Sequence, residues 1–272
     1  MNIKMLNVVL LMSALGMQAC EQTCCSSSCS GNPFFVLVGT GYSWSMCSKI
    51  CVDEIFWDKA AEGYNSKLNS VPVFEAGLGY YFRPWIGASV TAAYRGIYHY
   101  KKCQTVEQAV VIPAGAAETR YFDLANTSVL FNLILNGTNC LAWHFCNDMS
   151  LAPVVVGGVG IAQNKVFNFH TVTDQQVPNL ESFYVKSIMS EFVNKFTFAA
   201  HADIGVAWTM CERAQLNLGY RFYYGGEFKT NKYLVDIPGG LLQTQITRPI
   251  TIPGWCSSLK ANELFADLSF MF

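Results

Sequence analysis

Four segments of the chain alternate apolar and polar residues with a period of two: residues 71–82, 85–96, 195–209 and 215–225. In the last of these, Leu216, Leu218 and Tyr220 share one face, and Asn217 and Arg221 share the other. Alternation of this kind puts successive side chains on opposite sides of an extended backbone. The pattern therefore predicts four β-strands, each with one apolar face.

Four further segments extend this pattern. Residues 261–272 alternate cleanly, with Leu264 and Leu268 on one face and Glu263 and Asp267 on the other. Residues 34–44, 121–135 and 151–162 alternate less regularly. Asp123 breaks the apolar–polar alternation of its strand. If the strand crosses a membrane, we expect this residue beyond the bilayer or at a β-bulge. Residues 151–162 are apolar on both faces, which leaves their phase open. The total is eight predicted strands.

Short and long connections alternate between these strands. Residues 83–84 and 210–214 form short connections, whereas 45–70, 97–120, 163–194 and 226–260 form long ones. This predicts an all-β fold: an eight-stranded antiparallel transmembrane up-and-down β-barrel, with short periplasmic turns and four long external loops. One periplasmic connection departs from the pattern, because residues 136–150 span about fifteen residues.

The apolar face of the four clearest strands carries almost no charge. Seven ionisable side chains share the opposite face: Glu75, Arg95, His201, Asp203, Arg221, Glu263 and Asp267. A soluble, lipocalin-like barrel would be apolar inside and polar outside. A lipid-facing wall excludes charge, because Lys or Arg costs about 2–4 kcal/mol at the bilayer midplane. Aromatic residues near strand ends suit the membrane interfaces: Trp44, Phe82, Trp85, Trp208, Tyr224 and Phe272.

Composition agrees with a lipid-facing surface. Charged residues make up 14% of the chain, against about 25% in soluble domains. The formal net charge is -1, so the chain lacks the excess of positive charge that is typical of nucleic-acid-binding proteins. Beyond residue 19 no run of 18 apolar residues occurs, so no transmembrane helix is expected.

The first residues are typical of an export signal. Lys4 gives a basic start, residues 5–17 are apolar, and cleavage is expected near Ala19. Lipoprotein-type cleavage, which would leave Cys20 as a lipidated first residue, is an alternative. The expected organisation is a signal peptide at 1–19, a Cys-rich segment at 20–33 and the barrel at 34–272.

The closing strand and the strand pattern together resemble the outer-membrane protein A transmembrane domain and the opacity-type surface antigens. The resemblance covers essentially the whole mature chain. It implies a multi-pass protein of the bacterial outer membrane. It also implies that the barrel-assembly machinery recognises the terminal strand through Phe270 and Phe272.

None of the eleven cysteines falls inside a predicted strand. Export to an oxidising compartment favours disulfides, whose pairing the sequence leaves open. The candidates are Cys47, Cys51, Cys103, Cys140, Cys146, Cys211 and Cys256. Metal binding by the Cys20–Cys29 cluster is the alternative, but zinc-type Cys-x2-Cys pairs with histidine partners do not occur. We predict no metal and no cofactor.

The seven inner ionisable residues suit a structural ion-pair network better than a catalytic centre. An eight-stranded interior is just wide enough for side chains to fill it. His201 lies two residues from Asp203 on the same face, as two members of a catalytic triad would, but no serine is placed to complete the set. Glycines at 39, 41, 157, 158 and 160 lie within strands, where they favour close packing rather than phosphate binding. We predict that the protein is not an enzyme.

Loops on a rigid scaffold are where recognition usually occurs. We therefore expect a structural and surface-interaction role, adhesin-like or antigen-like, through aromatic and charged outer segments such as residues 98–102. The expected partners are outer-membrane lipid or lipopolysaccharide and a host or envelope surface ligand. The alternatives are a small porin-like channel for ions or small hydrophobic solutes and, third, an outer-membrane lipid-modifying enzyme.

Overall fold

A computed structural model of the protein describes residues 34–48, 50–51, 66–105, 117–137, 141–145, 149–175, 183–188, 192–211, 213–230, 233–235, 250–252 and 256–272. The predicted signal peptide, the lipidation site at Cys20 and the Cys-rich segment lie outside these residues.

Eight long strands build one closed sheet. They are β1 (Phe34–Ser45), β2 (Ser70–Arg83), β3 (Ile86–Thr105), β4 (Ala117–Asn136), β5 (Ser150–Gln175), β6 (Val193–Cys211), β7 (Ala214–Lys229) and β8 (Cys256–Met271). Each strand pairs antiparallel with the next. β8 returns to β1, with Val36 opposite Phe270 and Trp44 opposite Asn262. The predicted all-β, up-and-down antiparallel barrel is confirmed.

The two faces of the wall differ as predicted. Inward side chains are buried, and large apolar side chains on the outside are exposed. We call this outer surface the apolar belt: Val38, Tyr42, Phe74, Leu78, Val90, Tyr94, Val129, Phe131, Val159, Ile161, Phe198, Ile204, Val206, Leu218, Phe222 and Leu264. A closed barrel leaves no unpaired sheet edge toward lipid. The belt is therefore the surface through which the barrel contacts the bilayer.

Three strands continue well past the bilayer. β3 and β4 have 20 residues each and β5 has 26, whereas about 9–11 suffice to cross. The strand Phe183–Ile188 pairs with His170–Gln175 of β5. We call these extensions, together with Phe183–Ile188, the outer sheet. The predicted loops 45–70, 97–120, 163–194 and 226–260 were wrong in part, because strand structure enters each of them, including the short strand Ile50–Cys51.

The inside-outside phase shifts where the outer sheet begins. The register of β3 with β4 shifts between Arg95 and Tyr98, and that of β4 with β5 shifts between Tyr121 and Asp123. The predicted irregularity at Asp123 is thus confirmed as a register shift of β4 against β5. Beyond the first shift, Tyr98 is buried inside the barrel and His99 is exposed. Above the membrane the outer face meets water, so it becomes the polar face.

Connections at the periplasmic end are compact, with one exception. β2 and β3 are separated by residues 84–85, and β6 and β7 by residues 212–213. Between β4 and β5, the short strand Trp143–His144 pairs with Leu151 and Ser150. The chain ends at the same level, where the Phe272 N–H donates to Phe34 O at 3.0 Å. The role of Phe270 and Phe272 as an assembly signal stays a prediction. No helix among the described residues is long and apolar enough to span a membrane.

The cysteines lie closer to the sheet than expected. Cys103 is within β3, Cys211 ends β6 and Cys256 begins β8. The expectation that all cysteines lie outside strands was therefore wrong, because these strands extend further than their alternation indicates. Among the described side chains, those of Cys47 and Cys103 form no disulfide. Cys140 and Cys146 lie outside the described residues, and the cysteine pairing stays a prediction.

Candidate functional site

The barrel interior contains three successive layers of buried side chains. The periplasmic layer is apolar: Phe35, Leu37, Ile134, Val154 and Ala207. The middle layer contains the seven predicted ionisable residues, all of them buried. The outer layer is aromatic and aliphatic: Tyr98, Tyr100, Phe122, Leu124, Phe169, Phe228 and Leu259. The charged centre therefore lies between two apolar layers.

Arg95 on β3 forms the first ionic centre. Its Nε donates to Glu263 Oε1 at 2.7 Å and its Nη2 donates to Glu263 Oε2 at 3.1 Å, a bidentate pair across the interior. Nη1 donates to Ser128 Oγ at 3.0 Å. Its Cζ lies 3.3 Å from the centroid of the Tyr223 ring. Arg95 has no exposed surface. Because the guanidinium has lost its water, the Glu263 carboxylate is the group that compensates its charge.

Arg221 on β7 forms the second centre and joins three strands. Its Nη1 and Nη2 donate to Glu75 of β2 at 2.9 and 3.1 Å. Its Nε lies 3.0 Å from both carboxylate oxygens of Asp203 on β6. Glu263 Oε2 lies 3.7 Å from Arg221 Nη1, so this acid connects the two centres. The network therefore links strands that are distant in the chain.

His201 continues the network toward β4. Its Nδ1 lies 2.5 Å from Asp203 Oδ1 and its Nε2 lies 2.8 Å from Asn132 Oδ1. Both ring nitrogens thus face protein oxygens, and the ring is buried. A Cβ atom at Gly158 would come within 2.1 Å of His201 Nε2, so glycine makes room for this ring. No hydroxyl nucleophile contacts His201 in the described part of the barrel, which leaves the triad incomplete.

Asp267 departs from the expected pairing. The sequence predicts an ion-pair network that includes Asp267, but among the described residues no arginine lies within salt-bridge distance of this side chain. In register, Arg221 is opposite Glu263, and Asp267 is four residues nearer the periplasm, opposite Asn217. The Asp267 carboxyl instead lies against Gly39, where a Cβ atom would come within 2.0 Å of Oδ1.

Buried asparagines extend the network toward the outer layer. Asn126 Nδ2 donates to Asn164 Oδ1 at 2.7 Å, and Asn164 Nδ2 donates to the carbonyl oxygens of Gly225 and Glu227 at 2.8 and 3.0 Å. In the alternation of residues 121–135, Asn126 and Asn132 fall on the inner face, but the pattern indicates no partner for them. Asn164 lies within the predicted loop 163–194, so the alternation does not identify it.

Backbone pairing between β6 and β7 stops before the outer ends of these strands. The backbone ladder of these strands ends at Tyr224 opposite Ala200. Beyond this point, side chains bridge the two strands. The Glu227 N–H donates to Thr197 Oγ1 at 3.3 Å and Lys195 Nζ donates to Glu227 Oε2 at 2.6 Å. The hydrogen bond and positive charge of Lys195 lower the pKa of the Glu227 carboxyl.

No protein-family model and no curated protein sequence matches the chain. Among solved structures, the outer membrane protein OprG from Pseudomonas aeruginosa is similar at 11% identity and a TM-score of 0.47, over 89% of this chain and 97% of that chain. Neisserial surface protein A is similar at 11% identity and a TM-score of 0.39, over 89% and 99% of the two chains. Ail of Yersinia pestis is similar at 12% identity and a TM-score of 0.34, over 88% and 98%.

Similarity at these levels does not define a function. The assignment of the fold rests on the barrel itself: a closed ring of eight antiparallel strands with a polar middle layer and an exposed apolar belt. These features are those of a transmembrane β-barrel, and the chain has the fold of an eight-stranded, multi-pass barrel.

Proposed function

We propose that this barrel is a non-enzymatic membrane anchor that presents its outer sheet for recognition at the cell surface. The observation that carries the proposal is the filled interior, in which two apolar layers enclose a paired charge network. A filled interior offers no aqueous path. The strands that form the outer sheet are longer than a bilayer requires, so this sheet needs a role other than crossing the membrane.

The exposed outer face offers chemistry suited to recognition. The His99 Nδ1 atom lies 2.5 Å from Asp123 Oδ1, and the His170 ring stacks on Tyr121 at 4.6 Å. Lys101 Nζ lies 5.5 Å from the centroid of the Tyr121 ring. Rigid aromatic and cationic groups on ordered strands bind ligands at a low entropic cost. The fitting partners are anionic surface ligands, including lipopolysaccharide and host polysaccharides.

A second candidate function is the passage of small hydrophobic solutes through the wall. The interrupted ladder between β6 and β7 favours it, because side chains replace backbone pairing there. Phe196 and Phe198 are exposed on the outside beside this gap, and the apolar outer layer lies inside it.

Two shortened loops test the anchor proposal. Lys102 is opposite Arg120, and Val172 is opposite Lys186. Replacing residues 103–119 and 173–185 by Asn-Gly hairpin turns, together with Lys101→Ala, Tyr121→Ala and His170→Ala, would remove the tip of the outer sheet and its exposed aromatic and cationic groups without changing strand register. Bacteria that display this variant are expected to bind immobilised heparin several-fold less than bacteria that display the native chain. A Trp143→Ser variant, altered at the periplasmic end, is the matched control.

Two measurements on the native barrel separate the two candidate functions. In planar bilayers the native barrel is expected to give no stepwise conductance, and cells that produce it are expected to take up a small apolar dye no faster than control cells. Conductance steps or faster uptake would favour the channel candidate. Heparin binding that is unchanged in the shortened variant would contradict the anchor proposal.

His201→Ala tests the non-enzymatic assignment separately. Its ring is enclosed by Asp203 and Asn132, so we expect the variant to lose some stability but to leave the envelope lipids unchanged. The measurement is lipid mass spectrometry of cells that produce equal amounts of native and variant barrel. Asp203→Asn serves as a second variant. A lipid species that depends on both side chains would establish an enzyme.

A further inference from the structure

The first strand of the barrel continues along the last one beyond the end of β1. The Met46 N–H donates to Lys260 O at 2.7 Å, just past Ser45. After a short irregular stretch, Ile50–Cys51 forms an antiparallel pair with the first residues of β8. This restored pairing extends the β1–β8 seam to the outer rim.

In this register Cys51 lies directly opposite Cys256, and Ile50 lies opposite Ser257. Directly opposed residues of an antiparallel ladder have Cα atoms about 4.5–5.5 Å apart. A disulfide joins Cα atoms about 4.4–6.8 Å apart. The backbone therefore already holds these two positions at a bridging distance.

The register distinguishes this pair from other combinations. Cys103 lies opposite Thr119, and Cys47 lies in the irregular stretch that precedes Ile50. Among the strand pairings that the structure describes, Cys51 and Cys256 are the one pair of cysteines in direct register. Cys103 lies on β3, which pairs with neither β1 nor β8.

We propose that Cys51 and Cys256 form a disulfide that fastens the outer end of the β1–β8 seam. The two thiols lose their hydrogens and the new S–S bond forms. The two electrons and two protons pass to the disulfide of an exported thiol–disulfide oxidoreductase, which becomes a dithiol. The closed ring runs from residue 51 to residue 256, so the bond joins the first and last strands of the barrel covalently.

Peptide mapping of the full-length protein tests the pairing. The barrel is extracted from cells with free thiols blocked by N-ethylmaleimide at acidic pH, denatured without reductant and digested with trypsin. Cys51 then falls in the peptide of residues 50–59 and Cys256 in that of residues 233–260, because Arg248 precedes a proline and resists cleavage. Each of these peptides contains one cysteine.

The expected result is one linked species of these two peptides, which separates after reduction. In a Cys51→Ser variant the peptide of residues 233–260 should instead carry the maleimide, whereas a Cys47→Ser variant should keep the linked species. Maleimide on both Cys51 and Cys256 of the native protein would overturn the proposal. A bridge from either residue to another cysteine would also overturn it.

Discussion

Replacing Arg95 with methionine is expected to lower the free energy of unfolding by about 3–5 kcal/mol. Methionine fills part of the same volume but leaves the buried Glu263 carboxylate without its bidentate partner. The remaining cation, Arg221, is 3.7 Å away and is already bound by two other acids. Urea unfolding in lipid vesicles, followed by the shift in gel mobility between folded and unfolded barrel, measures the change.

Two variants isolate the cause of this loss. An Arg95→Met/Glu263→Gln double variant removes the uncompensated charge, so we expect it to recover much of the stability. Lys195→Met breaks an exposed pair of similar length with Glu227, and its cost should stay below about 1 kcal/mol. If Arg95→Met costs no more than Lys195→Met, the ionic middle layer does not stabilise the barrel.

Ile204→Arg is expected to destabilise the barrel by about 2–4 kcal/mol in a bilayer. Ile204 is 65% exposed and lies in the middle of β6, opposite Val155 on one side and Tyr220 on the other. On a water-facing surface this change would be nearly neutral. In lipid it puts a guanidinium into hydrocarbon, and the cost appears in the same urea measurement.

Asn194→Arg is the matched control for Ile204→Arg. Asn194 is also exposed on β6, but it lies near the outer end of the strand, opposite Lys165. Near the interface the same substitution should cost about 0–1 kcal/mol. Equal costs at the two positions would mean that the apolar belt does not face lipid.

The membrane-crossing part of the barrel was predictable because two constraints act on the same strand. Lipid requires an apolar outer face, and the narrow interior requires paired polar groups. In β7, for example, Leu218 and Phe222 face out and Arg221 faces in. The phase, the eight strands and the burial of seven ionisable side chains all follow from this alternation.

The outer sheet was not predictable by the same rule, because the rule reverses above the membrane. Tyr98 and Tyr100 alternate with His99 and Lys101, yet here the aromatic rings are buried and the polar residues face out. The bulge after Arg95 shifts the phase at this point. A rule that assumes an apolar outer face along the whole strand therefore predicts a loop where the structure has an ordered strand.

The individual ion pairs also required the structure. Alternation assigns Asp267 and Glu263 to the same face but does not give their height relative to the arginines. The strand register gives this position along the barrel axis, and it places Asp267 at a different level from Arg221. Glu263 reaches Arg95 across the interior rather than along neighbouring strands, and no local spacing in the sequence encodes such a contact.

The partnership of Arg95 with Glu263 also bears on how the strands assemble. The two residues are 168 positions apart, and Glu263 lies in β8, which closes the barrel against β1. Until that strand arrives, the arginine has no opposing carboxylate from β8, and its transfer out of water is strongly unfavourable. A barrel that lacks β8 would therefore hold a buried arginine without its carboxylate partner, and we expect it to be unstable in the bilayer.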